Sequence, residues 1–236
     1  MADVDLHARE WGQGGRVAVL LHGMMGSADS WHRVGPVLAA RGYRVIALDL
    51  PGHGRSPADL ALTVDRAAAH VVDTVRSLAD DPPALAVGHS YGGLVLAAAL
   101  PRLAPLRAVV VDSPTEARGG HDFEYVKAQY AEEARQRTYD WLRSTRSFYS
   151  EADALVEAEA ARLFDPDTAA AVSSSAGGSW PLPEGAMMIR PARSPYVPDD
   201  ATPALERAGV IVRTIEGAAH TVWYSHFDEF IDTLFT

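Results

Sequence analysis

Gly88-His89-Ser90-Tyr91-Gly92 lies where an apolar run, Ala84 to Val87, gives way to an Ala/Leu-rich one, Leu94 to Leu100. A serine flanked by glycines at a strand-to-helix junction is a device for presenting a nucleophile. The turn is so tight that the serine backbone is strained and its hydroxyl projects into a cleft above the sheet. Side chains two residues to either side would collide, and glycine at 88 and 92 removes them, while Gly93 lets the next helix pack close to the sheet. Ser90 would then stand at the positive end of that helix. A serine hydroxyl is almost never ionised near neutral pH, so it needs a base. Of the nine histidines, His220 is the best candidate. It follows a β-branched run and a Gly-Ala-Ala loop and precedes a C-terminal helical pattern. His89 belongs to the turn but is expected to point away from the nucleophile, His53 lies in a turn, and His226 falls on the last helix.

These residues need a scaffold, and the hydropathy pattern supplies one. Val17 to Leu21, Arg44 to Leu48, Ala84 to Val87, Leu106 to Val111, Ala186 to Ile189 and Val210 to Ile215 read as strands. They are nearly continuous in apolar residues rather than alternating, which suits parallel strands covered on both faces. Helical patterns at Trp31 to Arg41, Thr63 to Ala79, Leu94 to Leu100, Pro203 to Ala208 and Val222 to Leu234 fall between or after them. That alternation predicts a doubly wound, mostly parallel α/β sheet. From about Thr115 to Pro183 the rhythm breaks. Aromatic-bearing helical patterns from Phe123 to Phe148 and a second one from Glu151 to Leu163 replace the strands, and Ser173 to Gly185 reads as a loop. The expected organisation is a core of residues 1–114 and 184–236 with a helical lid, 115–183, inserted into it. An insertion this long is usually functional.

The chain has 236 residues, enough for one sizeable α/β domain, with 47% hydrophobic and 22% charged residues. A net charge of −10 without any Lys/Arg cluster argues against a nucleic-acid or anionic-membrane partner. Cysteine is absent, which rules out disulfides, thiol nucleophiles and cysteine metal sites. The opening MADVDLHAREWG is polar and acidic, so no signal peptide is expected and a cytoplasmic location is the default. No histidine/carboxylate cluster has metal-ligand spacing. No metal and no cofactor are expected, only a small-molecule acyl substrate, in a monomer or homodimer.

Over nearly its whole length the chain resembles the α/β-hydrolase family. Leu21-His22-Gly23-Met24-Met25-Gly26-Ser27 is similar to the family's His-Gly-x-x-Gly-Ser loop after its third strand. Asp49-Leu50-Pro51-Gly52-His53-Gly54-Arg55-Ser56 is similar to its Asp-x-x-Gly-x-Gly-x-Ser segment, and Gly217-Ala218-Ala219-His220 to its Gly-x-x-His. The resemblance implies a lid after the family's sixth strand, Ser90 as nucleophile and His220 as base. It also implies an oxyanion hole formed by the main-chain N–H groups of Met24 and Tyr91. Read alone, the Gly52/Gly54/Ser56 spacing lacks the third glycine and helix of a dinucleotide loop, so a structural turn is expected.

The acid departs from the family pattern. Where a Gly-x-x-Asp-x-x-x-Pro stretch is expected, the chain reads Pro191-Ala192-Arg193-Ser194-Pro195-Tyr196-Val197-Pro198, and Ser194 takes the aspartate's place. Asp112, at the end of the strand Leu106 to Val111, is the favoured replacement and keeps the order nucleophile, acid, base. Asp199 or Asp200 reaching back through a longer loop, or a dyad helped by water, stay open, as does an Asp112 that only caps a turn. Met25, Arg193 and Trp141 are candidate pocket residues. Arg190 and Arg193 are read first as salt-bridging groups and second as contacts for a substrate anion. The function implied is a serine esterase, lactonase or thioesterase working through an acyl-enzyme. C–C bond cleavage or lyase and cyclase chemistry on the same groups is the alternative, and a small-molecule receptor a third reading.

Overall fold

A computed structural model describes residues 5–236. Its central sheet has seven strands: β1 (Ala8–Trp11), β2 (Arg16–Leu21), β3 (Tyr43–Leu48), β4 (Leu85–His89), β5 (Ala108–Val111), β8 (Met187–Pro191) and β9 (Ile211–Ile215). Their spatial order is β1-β3-β2-β4-β5-β8-β9, with β1 antiparallel to β3 and the rest parallel. The chain begins on the edge strand β1, enters the interior at β2, turns back to place β3 between the two, and then crosses over to build the other side through β4, β5, β8 and β9. That reversal places the carboxyl ends of β2, β4 and β5 side by side, where sites form in open α/β sheets.

Side chains of one strand alternate between two cores. Val19, Leu21, Ile46, Leu48, Ala86, Val110 and Met188 pack on one face, against α2 (Val64–Leu78) and α3 (Tyr91–Leu103). Ala18, Leu20, Val45, Ala47, Val87, Val109, Val111 and Ile189 pack on the other, with α1 (Val34–Ala40) and the C-terminal helices α9 (Val222–Ser225) and α10 (Phe227–Thr233). The middle of each central strand is therefore almost continuously apolar, as a strand buried on both sides must be. Trp31, at the end of a 3-10 turn (Ala28–Trp31), stacks on Trp223 with ring centres 4.2 Å apart, joining the two chain halves. The short α8 (Thr202–Arg207) precedes β9.

Between β5 and β8 the chain leaves the sheet through α4 (Phe123–Gln136), α5 (Tyr139–Thr145), α6 (Glu151–Arg162) and α7 (Pro166–Ser174). The strand-free interval expected here is corrected by two short strands, β6 (Glu116–Gly119) and β7 (Ala176–Ser179), which pair antiparallel at its neck. Their Gly- and Ser-rich sequences carry no hydrophobic alternation, so the pairing is visible only in three dimensions. β1 escaped notice for a related reason: it is a four-residue edge strand, and its pattern is mostly polar. The excursion is fastened on two sides. Asp165 N–H donates to Gly52 O (2.8 Å) and the Thr168 hydroxyl accepts from Asp59 N–H (2.9 Å). Opposite them, the buried Asp153 meets His32 and Arg33 at 3.3 and 3.5 Å.

Among the described residues no helix is long and apolar enough to cross a membrane. The passage between β4, the loop after β2 and α3 leaves no room for side chains. A Cβ on Gly88 would sit 2.4 Å from Gly92 O, and one on Gly92 would sit 2.3 Å from His22 O. Both obstacles are backbone, which cannot rotate away. Gly92→Ala is expected to cost about 1–3 kcal/mol, the usual scale of overpacking, read as a melting point several degrees below wild type. An unchanged melting point would show that the junction is looser than these distances.

Candidate active site

β4 runs straight into the strained turn. Ser90 has φ 51° and ψ −120°, a conformation that costs on the order of 1–3 kcal/mol and persists only when neighbours over-determine it. Three hydrogen bonds do so here: Ser90 N–H donates to Val111 O (2.9 Å), and Ser90 O accepts from Gly93 N–H (2.8 Å) and Leu94 N–H (3.1 Å). The residue is thus tied to β5 on one side and to α3 on the other, and its side chain lines a cavity of about 690 Å³.

β5 ends at Val111, and Asp112 follows it at φ 44° and with no solvent exposure. Asp112 N–H donates to Ile189 O (2.8 Å), which holds the turn against β8. A buried carboxylate needs hydrogen bonds on both oxygens. Oδ2 accepts from His220 Nδ1 at 2.7 Å. Oδ1 accepts from the Ser194 hydroxyl, whose own oxygen accepts from Tyr196 N–H (3.0 Å) and Val197 N–H (2.8 Å). Ser194 occupies the place where an acid was expected, and it binds the acid that stands elsewhere. Asp199, itself exposed, instead pairs with the buried Arg190 at 2.6 Å, and Asp200 is exposed. The structure therefore brings Asp112 to His220, and neither Asp199 nor Asp200.

His220 sits in the loop between β9 and α9. Nδ1 is engaged with Asp112, leaving Nε2 for proton transfer, and Ser90 and His220 line the same cavity. His89 lies against the His220 ring (4.5 Å between centres) and donates from Nε2 to His220 O at 3.0 Å. It therefore lines the cavity and does not point away, because β4 carries it towards Trp223. Burial, then the neighbouring His220, pushes its pKa well below the ordinary histidine value. The Tyr196 ring lies 4.6 Å from His220.

Gly23 to Gly26 form a turn closed by Gly26 N–H to Gly23 O (3.0 Å), with Met25 at φ 62°. Such a turn leaves the N–H of its second residue, Met24, uncommitted. The Tyr91 N–H is likewise free of intrahelical bonding as the first residue of α3. Tyr91 follows Ser90 in the chain, and the turn at Gly23 lies beside it in space, where a Cβ on Gly23 would sit 3.2 Å from Ser90 Cβ; the Tyr91 side chain is buried in the core. His22 braces the loop: Nδ1 donates to Gly23 O (2.7 Å) and Nε2 accepts from Leu50 N–H (3.0 Å). Asp49 braces the next one, accepting from Ala28 N–H (2.6 Å), Arg55 N–H (2.9 Å) and His7 (2.8 Å). The Gly52/Gly54/Ser56 segment is a hydrogen-bonded turn, with the Ser56 hydroxyl on Asp49 O (2.6 Å).

Of the candidate pocket residues, Met25 lines the cavity and the other two do not. Arg193 is turned to solvent by the same bend that buries Ser194. Trp141 packs beside Arg146 and the second core instead. Arg190 is occupied by Asp199 and by Ala192 O (2.8 Å). Residue spacing gave no notice of Ser194 as a partner of Asp112, of Tyr196 and His89 beside His220, or of Arg137 and Glu157 from the insertion. Only Ser194 carried a local signal, a serine able to bond the amides two and three residues on.

Burial lowers His22 to about 4 and, helped by the nearby His22, lowers His53 to about 3. Both are neutral in the fold, while in the unfolded chain they take up protons near 6.5. Below that value the unfolded state binds more protons, so stability is expected to fall as pH drops from about 6.5 towards 4. His53→Leu should flatten the dependence of melting point on pH over that window. An unaltered slope would show that His53 is not buried neutral.

The chain matches the model of the alpha/beta hydrolase family over residues 18–233. It is 42% identical over 85 residues to Methylesterase 8 of Arabidopsis thaliana, covering 35% of this chain and 31% of that protein. It is 37% identical over 136 residues to Lipase LipV of Mycobacterium tuberculosis, covering 54% of this chain and 49% of that one. The matched stretches thus span a third to a half of those relatives. In structure it is similar to an enol-lactonase from Burkholderia xenovorans LB400, with a TM-score of 0.74, 18% identity and coverage of 99% of this chain and 97% of that one. A family match spanning almost the whole described chain, on a sheet of this topology, shows that the protein belongs to the alpha/beta hydrolase family.

Proposed function

We propose that the protein is a serine hydrolase that cleaves a small carboxylic ester, lactone or thioester. The observation that carries this reading is the joining of two features in one cavity. Ser90 stands on a strained strand-to-helix turn, and His220 has its Nδ1 held by the buried Asp112 at 2.7 Å. Relatives described as a methylesterase, a lipase and an enol-lactonase support it.

In this reading Ser90 Oγ attacks the carbonyl carbon as His220 Nε2 takes its proton. The carbonyl oxygen becomes an oxyanion held by the N–H groups of Met24 and Tyr91, which need no reorganisation at that moment. Asp112 orients the imidazole and balances its charge, and Ser194 in turn keeps Asp112 aimed. His220 then gives its proton to the departing oxygen or sulfur, leaving an acyl group on Ser90. Water deprotonated by His220 attacks that ester, and collapse returns the hydroxyl to Ser90. The helices of residues 115–183 act as a lid that shapes the acyl site, since residues from α4, α5 and α6 line the cavity.

A fluorophosphonate probe should label the native protein at Ser90, and Ser90→Ala should abolish labelling and hydrolysis of p-nitrophenyl acetate. Native protein left unlabelled and inactive would sink the proposal. Asp112→Asn should lower kcat by about four orders of magnitude, the loss seen when a triad histidine loses its carboxylate. Ser194→Ala should fall between wild type and Asp112→Asn. Near-wild-type turnover in Asp112→Asn, with a large loss in Asp199→Asn, would reassign the acid.

A further inference from the structure

The wall that the insertion gives the cavity is charged. Tyr130, Glu133 and Arg137 recur along one face at the C-terminal end of α4, and all three line the cavity. Arg137 Nη2 donates to Glu157 Oε2 at 3.1 Å. The other Glu157 oxygen lies 2.9 Å from the Tyr224 hydroxyl, which shares its proton with Ser30 O at 3.0 Å. Glu157 is therefore fixed from two sides, and it fixes the guanidinium in turn.

It does not saturate that guanidinium. Arginine carries five N–H donors in a rigid plane, and here Nε is buried without a hydrogen-bond partner. An empty buried donor is uncommon in native interiors and asks for an explanation. A second cation, Arg146, lines the same cavity and lies over the Trp141 ring, 5.3 Å from its centre. The two carboxylates of this wall differ. Glu157 is committed to Arg137, and Glu133 is exposed to solvent, where water and salt screen it. The apolar part of the lining comes from Met24, Met25, Phe148, Tyr149 and Trp223.

We infer that the substrate bears a carboxylate, or an equivalent anionic oxygen group. Arg137 reads it through the N–H groups that Glu157 leaves unused, with Arg146 beside it. The inference rests on the serine-hydrolase reading and narrows it to small esters with an acidic arm. A cavity of about 690 Å³ accommodates such a molecule. The planar guanidinium also matches carboxylate geometry better than a lysine ammonium would. The remaining choice is whether the acid belongs to the acyl part or to the leaving alcohol.

Paired substrates separate these. One arm compares p-nitrophenyl hemiesters of succinic, glutaric and adipic acids with p-nitrophenyl esters of butyric, valeric and hexanoic acids. The other compares acetyl esters of hydroxy acids with acetyl esters of the matching alkanols. In one arm kcat/KM should favour the acidic member by at least about tenfold, the lower end of what a hydrogen bond to a charged group contributes, and that arm locates the carboxylate. Arg137→Met should collapse the ratio and Arg137→Lys should retain part of it. The ratio is taken within each variant, so a general loss of activity cancels, and a thermal melt checks folding. Equal rates or a neutral preference in both arms, or a wild-type ratio in Arg137→Met, overturns the inference. Fluorophosphonate labelling of the same preparations keeps the two ideas apart. Labelled Ser90 without acidic preference sinks only the substrate class, whereas absence of labelling and of all hydrolysis removes the enzyme reading and this inference with it.

Discussion

Everything at the site depends on how closely α3 approaches the sheet. The backbone between β4 and α3 is packed so tightly that Gly88 and Gly92 leave no room for a Cβ. Ser90 is consequently held at a positive φ by bonds to β5 and to its own helix. This closeness pushes the hydroxyl out of the sheet, faces the first amide of α3 towards the same space and lays the turn at Gly23 alongside it. Strain of this kind survives only because large apolar cores on both faces of the sheet stabilise the arrangement around it.

The second dependency is the burial of Asp112. With no solvent exposure, the carboxylate has only the hydrogen bonds the protein provides, one from His220 and one from Ser194. Ser194 cannot carry charge, yet its hydroxyl is polarised by two amides that point at its oxygen. Exchanging an acid for a hydroxyl at one strand end, with an acid at the next, preserves the polar balance of the pocket while moving the charge. The same economy recurs in the insertion, where the Asp153 carboxylate ties α6 to His32 and Arg33, and Glu157 ties it to Arg137 and Tyr224. Burial alone would raise the Asp153 carboxyl. The bonds from His32 and Ser150 and the Arg33 charge together bring it below its ordinary value.

Much of the scaffold is legible because the central strands are almost continuously apolar, a pattern few other environments require. The six core strands were found within two residues of their observed ends, and the elbow with its helix followed from glycine spacing. The polar edge strand β1 and the Gly-rich neck β6–β7 were not legible, since their pairing rests on backbone hydrogen bonds that carry no side-chain signature. The helix expected over Val222 to Leu234 breaks at His226. Arg193 and Trp141 have side chains chemically suited to a pocket, but the bend at Ser194 turns the first to solvent and the packing of α5 holds the second against the core.

By itself the sequence determined the tight turn at Ser90, the six parallel core strands and the short set of candidate acids, because local glycine spacing and two-sided burial leave a direct trace in residue types. Which acid meets His220, what Ser194 does there, and which charges line the cavity were decided only by the tertiary structure. Those partners lie 82 and 108 residues from Asp112 along the chain. A hydrogen bond between such distant residues is set by how β5, β8 and the loop after β9 converge at one edge, and no local pattern encodes that convergence.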